Sequence, residues 1–305
     1  MNSFVQRLCF VLLLSALFSS KLLAQVKDID RDWWKHAVFY EIYPRSFADS
    51  NNDGIGDLNG ITAHLDYLKK LGVDALWITP CFPSPQVDFG YDVSDYEGID
   101  PAYGTLADFD RLVAEAGKRK IRIVLDFVVN HTSDQHPWFK ESRSSRTSPR
   151  RDWYIWRDGA GADKPPNNWG SIFGGSAWKL DSSTEQYYLH QFYPEQPDLN
   201  WRNPEVDDAM MEVARFWFKR GVAGFRLDAV DRIYEDPDFR DNPIKKDADG
   251  TESLDEIYTS NLPELHNVLH HLRTVADEYG AVLVGETWTS NVEELQRYYH
   301  RCRCR

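Results

Sequence analysis

IRIVLDFVV, residues 121–129, decides how this chain folds. Apart from Arg122 and Asp126 the run is apolar, and it is rich in β-branched side chains. A strand with no polar alternation is buried on both faces, which is the habit of parallel sheets covered by helices. Upstream, residues 106–119 have helical spacing, and residues 75–78 (ALWI) and 38–42 (VFYEI) are short β-rich runs. Between those two runs, residues 60–71 place Ile61, Leu65, Leu68 and Leu71 on one helical side. Downstream the alternation stops. Residues 131–193 are polar and rich in Ser, Pro, Gly and Trp, with no amphipathic helix of useful length. It then resumes with a helix over 204–220, Pro204 at its start and Gly221 just past its end. A strand at 223–227, a helix at 262–279, a strand at 282–284 and a helix from 291 to 299 follow.

Strand–helix alternation with apolar strands implies a parallel sheet wrapped by helices. The expected fold is α/β, a (β/α)₈ TIM barrel of which about five βα units are present, with an inserted subdomain after the third strand. The expected divisions are a signal peptide at 1–24, the first part of the barrel at 25–130, the inserted subdomain at 131–193, and the continued barrel at 194–305. Missing barrel strands mark the chain as C-terminally truncated on this reading, and the 305-residue polypeptide as unstable or inactive.

The formal charge of −13, without a long basic stretch, argues against nucleic acid or an anionic membrane surface as partner. It suits a neutral substrate and equally describes a plain acidic surface. The 11 Trp offer flat apolar faces of the kind a sugar cleft uses, or simply a Trp-rich core. Arg7 followed by LCFVLLLSALF (8–18) reads as a secretory signal with Ala24 as cleavage point, or as a short signal anchor, so the protein is expected to be secreted. Cys9 lies in that signal. Cys81, Cys302 and Cys304 remain, an odd number that gives no disulfide framework, and the ending RCRCR matches no motif.

Reacting groups in parallel α/β folds gather at the C-terminal ends of strands. Asp126, Asn130 and His131 follow one strand, Arg226 and Asp228 another (GFRLDAV), and Glu286 a third (LVGETW), while the loop 87–96 carries Asp88, Tyr91 and Asp92. Adjacent strands lie roughly 4.8 Å apart. Two carboxyls on neighbouring strand ends therefore match the separation of about 5–5.5 Å that retaining glycoside hydrolysis requires. Arg226, two residues before Asp228, shares its side and would keep Asp228 ionised, while Glu286 would have to hold a proton. Arg226–Asp228 as a buried ion pair without catalytic use is the alternative. Asp49, Asn51, Asp53, Ile55 and Asp57 in DSNNDGIGD supply oxygens at alternate positions around Gly54, as in the first part of a calcium loop. The twelfth position is Gly60 rather than Glu, so this is no EF-hand, and a turn-rich loop without an ion is the alternative. Asn130-His131-Thr132 matches an N-glycosylation pattern but faces the cleft and is expected to be unmodified.

GVDALWITP (72–80), DFVVNH (126–131), QPDLNW (196–201), GFRLDAV (224–230) and GETW (285–288), in this order, resemble glycoside hydrolase family 13, the α-amylase superfamily. The resemblance runs from about residue 33 to 299 and is nearest the maltase and oligo-1,6-glucosidase branch, insect secreted maltases in particular. It implies Asp228 as nucleophile and Glu286 as proton donor, with Arg226 orienting Asp228. Asp88, Tyr91 and His131 would line the terminal-glucose subsite, Asp126 would support them, and 49–57 would be the branch's structural Ca²⁺ loop. No organic cofactor is implied. Ala229, after the nucleophile, points to α-1,4 over α-1,6 bonds, hence to maltose and maltooligosaccharides. The family's third acid, in an Asn-His-Asp motif, has no counterpart in this sequence. Other activities of the family (α-amylase, sucrose hydrolase, oligo-1,6-glucosidase, glucosyl-transferring isomerase), a non-catalytic transporter heavy-chain relative, and a surface receptor role or membrane attachment remain the competing readings.

Overall fold

In the computed structural model the described residues are 32–246, 250–289 and 291–300. The expected signal peptide and Cys9, Cys302 and Cys304 lie outside them. Of residues 1–36, which form a unit of their own, residues 32–36 are described and contain the 3₁₀ turn Trp33–Lys35.

In chain order the strands are β1 (Phe39–Ile42), β2 (Ala75–Ile78), β3 (Arg122–Val128), β4 (Trp156–Arg157), β5 (Trp178–Asp181), β6 (Gln186–Leu189), β7 (Gly224–Asp228), β8 (Ile244–Lys246), β9 (Glu252–Leu254) and β10 (Val282–Gly285). Five of them form one parallel sheet in the order β1-β2-β3-β7-β10. This is the expected part of a (β/α)₈ barrel. The insertion between β3 and β7 builds its own antiparallel sheet, β4-β6-β5.

Alternate residues of the parallel strands face opposite ways. Ile42, Leu76, Ile78, Leu125, Phe127, Phe225 and Leu227 belong to the buried core. Phe127 and Phe225 stack at 4.7 Å between ring centroids, and Phe225 meets Phe218 of the helix Pro204–Lys219 at the same distance. Trp217 of that helix is fully buried, lies 5.4 Å from Phe82 and 5.0 Å from Phe109, and donates Nε1–H to the Tyr96 carbonyl. The helices start and stop on local chemistry. Leu106–Lys118 opens with a capping box between Thr105 and Asp108. Asn203 caps Pro204–Lys219, and Gly221 follows at φ +92°.

Two readings needed adjusting. The helix expected over 60–71 is two short ones, Leu58–Ala63 and Leu65–Leu71, broken at His64, whose Nδ1 bonds the Gly60 carbonyl. The helix expected from 262 begins at Leu265, beyond Pro263. The β8–β9 hairpin went unread, because its three-residue strands are mostly polar and exposed and too short to show alternation. No helix among the described residues is long and apolar enough to cross a membrane.

Gly224 sets the spacing of β7 and β10. A Cβ there would lie 2.4 Å from both the carbonyl oxygen and a methyl of Val282. Gly224→Ala is expected to push β10 outward and cost about 1–3 kcal/mol, read as a lowered urea midpoint; an unchanged midpoint would contradict this packing.

Candidate active site

Strand register alone brings the acidic residues together. Asp126 of β3 is opposite Arg226 of β7, and Gly285 of β10 is opposite Leu227, so Glu286 and Asp228 come next on their two strands. Asp126, Arg226, Asp228 and Glu286 thus share one face, opposite the packed core. Arg226 Nη1 donates to Asp126 Oδ1 at 2.9 Å and to Asp228 Oδ1 at 2.5 Å, while Nη2 reaches Glu286 Oε2 at 2.7 Å. Glu286 Oε2 also accepts the Ala229 N–H at 3.1 Å. Ala229 is left-handed, φ +44°, and that conformation is what turns its N–H beside the acid.

One guanidinium therefore faces three carboxylates. Burial pushes Asp228 well above the usual carboxylate range, and the neighbouring Asp126 charge pushes it further; Arg226 opposes both, and Glu286 adds to the rise. Burial raises Asp126 as well, against Arg226. Arg226 is paired with Asp228 as expected, and it serves Asp126 and Glu286 as well. The buried Asp126 and Asp228, sharing one cation, titrate as a pair. The Glu286 side chain is 34% exposed, the most open of the three.

Around this cluster stand the other expected residues. Tyr91 donates its hydroxyl to Asp126 Oδ2 at 3.2 Å. Asp88 and His131 are joined by a residue the sequence reading missed: Gln196 Nε2 lies 2.9 Å from Asp88 Oδ2 and 2.9 Å from His131 Nε2. Tyr193 N–H donates to Gln196 Oε1 and fixes the amide's orientation. Trp77 was also missed; its Nε1–H donates to Asp126 Oδ2 at 3.0 Å, and its ring lies 5.2 Å from the Arg226 guanidinium. The signals were present, since Gln196 opens QPDLNW and Trp77 has the same strand parity as Asp126. Asp92 has a scaffolding place, accepting from Ser84 Oγ and from Val87 and Asp88 N–H. Phe192 packs on His131 at 5.1 Å. Asn130 is 1% exposed and bonded to Asp198, out of reach of a glycan in the folded state.

The loop 49–57 lies apart. Asp49 Oδ1 accepts from Asn51 and Asn52 N–H, and Oδ2 from Gly54 N–H. The Gly54 bond is the largest influence holding the Asp49 carboxyl below its ordinary range, so it stays an anion. Asp53 accepts from Ile55 N–H and from the Asn51 amide. Asp57 caps the helix Leu58–Ala63 and accepts from Ser50. The donors are all hard oxygens, which suits calcium. Among the described residues no three His, Cys, Asp or Glu side chains converge as a cage, so amide and carbonyl oxygens would complete any shell.

Residues 41–304 match the family model described as alpha amylase, catalytic domain. Maltase 1 of Drosophila virilis is 51% identical over 83% of this chain and 41% of its own length. Trehalose-6-phosphate hydrolase of Escherichia coli K12 is 53% identical over 87% of this chain and 47% of its own. The crystal structure of an alpha-glucosyl transfer enzyme superposes with a TM-score of 0.81 at 49% identity, covering 85% of this chain and 50% of that one. The chain spans about half the length of the curated relatives it matches.

Burial holds the imidazoles of His131 and His136 down at about 3, with Arg150 adding to the effect at His136. Unfolded imidazoles titrate near about 6.5. Their contribution to stability is therefore complete above that pH and lost as pH falls toward 3. His136 Nδ1 accepts the Trp138 N–H as a helix cap, a role Asn can fill. His136→Asn is expected to flatten the fall of Tm between pH 7 and 4; parallel curves for parent and variant would refute the burial argument.

Proposed function

The chain belongs to the alpha-amylase catalytic-domain family, glycoside hydrolase family 13, and on that premise we propose that it carries the acid pair of a retaining α-glucosidase acting on terminal α-1,4-linked glucose. The observation behind this is the shared guanidinium: Arg226 bonds Asp228 at 2.5 Å and Glu286 at 2.7 Å, so both acids stand at one cation. One cation that gathers both acids on neighbouring strand ends supports the close pair that a retaining reaction uses.

With Asp228 Oδ1 held by Arg226, Oδ2 is the oxygen that attacks the anomeric carbon. The bond to the leaving glycosidic oxygen breaks as Glu286 gives that oxygen its proton. Both N–H donors to Glu286 use Oε2, so the transferable proton belongs on Oε1. Water then attacks the glycosyl–Asp228 ester, returns a proton to Glu286 and frees the sugar with its configuration retained. Asp88 and His131, bridged by Gln196, would bond the hydroxyls of the terminal glucose, and the Tyr91 ring would face it. Ala229 supports the α-1,4 preference through its small side chain beside the acid. Relatives bearing the names maltase and trehalose-6-phosphate hydrolase are similarly close, so the preference rests on that residue.

In a polypeptide spanning the relatives' full length, Asp228→Asn is expected to abolish maltose hydrolysis while sugar binding persists, and Glu286→Gln to lower kcat by about 10²–10⁴-fold. Proton NMR of the first product should show α-glucose; undiminished turnover in Asp228→Asn, or β-glucose, would end the proposal.

We also propose that Asp49, Asn51 and Asp53 side chains and the Ile55 carbonyl hold a structural calcium, with Asp57 shaping the loop. Calcium at a hundredfold excess over Kd is expected to stabilise the fold by about 2–3 kcal/mol, read as a Tm rise reversed by EGTA and absent in Asp53→Ala. A Tm indifferent to calcium would remove the ion from the account.

A further inference from the structure

Behind His131 lies a pair of side chains that the reaction does not use. Asp198 and Asn130 are 0% and 1% exposed. Their backbones are held together by the antiparallel bridge between His131 and Asp198 and by Leu199 N–H donating to the Asn130 carbonyl at 2.9 Å. Asn130 Nδ2 donates to Asp198 Oδ1 at 3.0 Å. The other atom of each group, Asn130 Oδ1 and Asp198 Oδ2, is buried and has no hydrogen-bond partner among the described residues. Two orphaned acceptors on side chains already joined by one bond are costly in a dry interior.

We propose that Asp198 is a neutral carboxylic acid in the folded protein, and that its Oδ2–H donates to Asn130 Oδ1, closing a two-bond ring that fixes Asn130 and, through it, the Nδ1 edge of His131. A carboxyl and an amide are flat groups of matching width, so when one edge atom of each is paired, the second atoms can meet across the same ring. One proton turns two unsatisfied acceptors into one hydrogen bond. The argument survives exchange of the Asn130 oxygen and nitrogen: the amide oxygen would then meet Asp198 Oδ1, and again a single proton on Asp198 completes the ring. Asn130 Nδ2 is 3.3 Å from His131 Nδ1, so the ring borders the imidazole directly. Asp198 is thus a positioning residue acting through Asn130, whichever glycosidic bond the site cleaves.

Burial favours the neutral form, and no cation among the described residues is free to oppose it fully. Asp198 takes part in no ion pair among the described residues. The buried Glu235 adds a second carboxyl nearby, itself pushed up by burial and then by Asp198. Arg232 acts favourably on an Asp198 anion, but its guanidinium is spent on Glu256 at 2.5 Å and Gln191 Oε1 at 3.4 Å. Arg202 donates to the Glu235 main chain, and His131 is neutral. Among the described residues the Gln191 N–H at 3.1 Å is the one backbone donor to the Asp198 carboxyl. Burial, partly offset by Gln191, Asn130 and Arg232, pushes Asp198 up to about 7. An unfolded Asp titrates near about 3.9, so the stabilisation is complete below that pH and is lost as pH rises toward 7.

Asp198→Asn imitates the protonated acid, with an N–H where the proton sits. In the full chain this variant is expected to match the parent's Tm at about pH 4 and to exceed it increasingly up to about pH 7. Asp198→Ala, which cannot form the ring, should lie below both at pH 5. The infrared spectrum of the parent at pH 6 should hold a protonated-carboxyl carbonyl band that Asp198→Asn lacks. The ¹⁵N shifts of the His131 ring should follow the same pH step in the parent and not in Asp198→Asn. Absence of the band, or parallel Tm curves for parent and Asp198→Asn, would show Asp198 ionised and overturn the proposal.

Discussion

A single guanidinium shared among three carboxylates is the constraint to which the rest of the molecule answers. Arg226 can serve Asp126, Asp228 and Glu286 together only because three parallel strands hold a common register and present residues of one parity to the same side. A slip of one residue in any of them would send its acid into the aromatic core. The core therefore does more than stabilise. Phe127 and Phe225, on the opposite parity, lock the alignment that places Asp126 beside Arg226. Gly224 permits β10 to approach closely enough for Glu286 to reach the same cation.

The insertion supplies what the sheet cannot. Its return segment bridges back to the end of β3 through His131 and Asp198, and to Tyr154 through Leu199. That brings Gln196 between Asp88 and His131, from points remote in the chain to both. Aromatic packing keeps the excursion rigid. Phe139, Tyr154, Trp156 and Tyr188 form one group, and Trp169, Trp178 and Phe239 another. The Arg151 guanidinium sits 3.5 Å over Trp156. Many of the Trp are thus structural, which was the plainer of the two readings offered for them.

The strands of the parallel sheet were legible because burial on both faces leaves a continuous apolar run. The helix Pro204–Lys219 was legible because its stop signals are local. Asp228 and Glu286 stood out as acids at the ends of apolar strands, where a charge is costly without a purpose. Gln196 and Trp77 did not stand out, since neither residue type is unusual in its own segment and their meaning arises only from contacts across the fold. The hairpin β8–β9 was silent because solvent-exposed strands impose no hydrophobic pattern. The sharing of Arg226 was hidden for a related reason. A neighbour two residues away is visible in a sequence, whereas competitors for that neighbour's charge sit on other strands.

Ala229 ties together two traits that could have been independent. Its left-handed backbone delivers an N–H to Glu286, and its small side chain follows the proposed nucleophile in sequence. A β-branched residue in that conformation is strained, so enlarging the side chain disturbs the amide that grips the carboxyl. Selection for a differently shaped leaving group would then alter proton delivery in the same step, and compensation would have to arise elsewhere in the barrel. A change at this position therefore bears on the grip on Glu286 and on the local side-chain volume together.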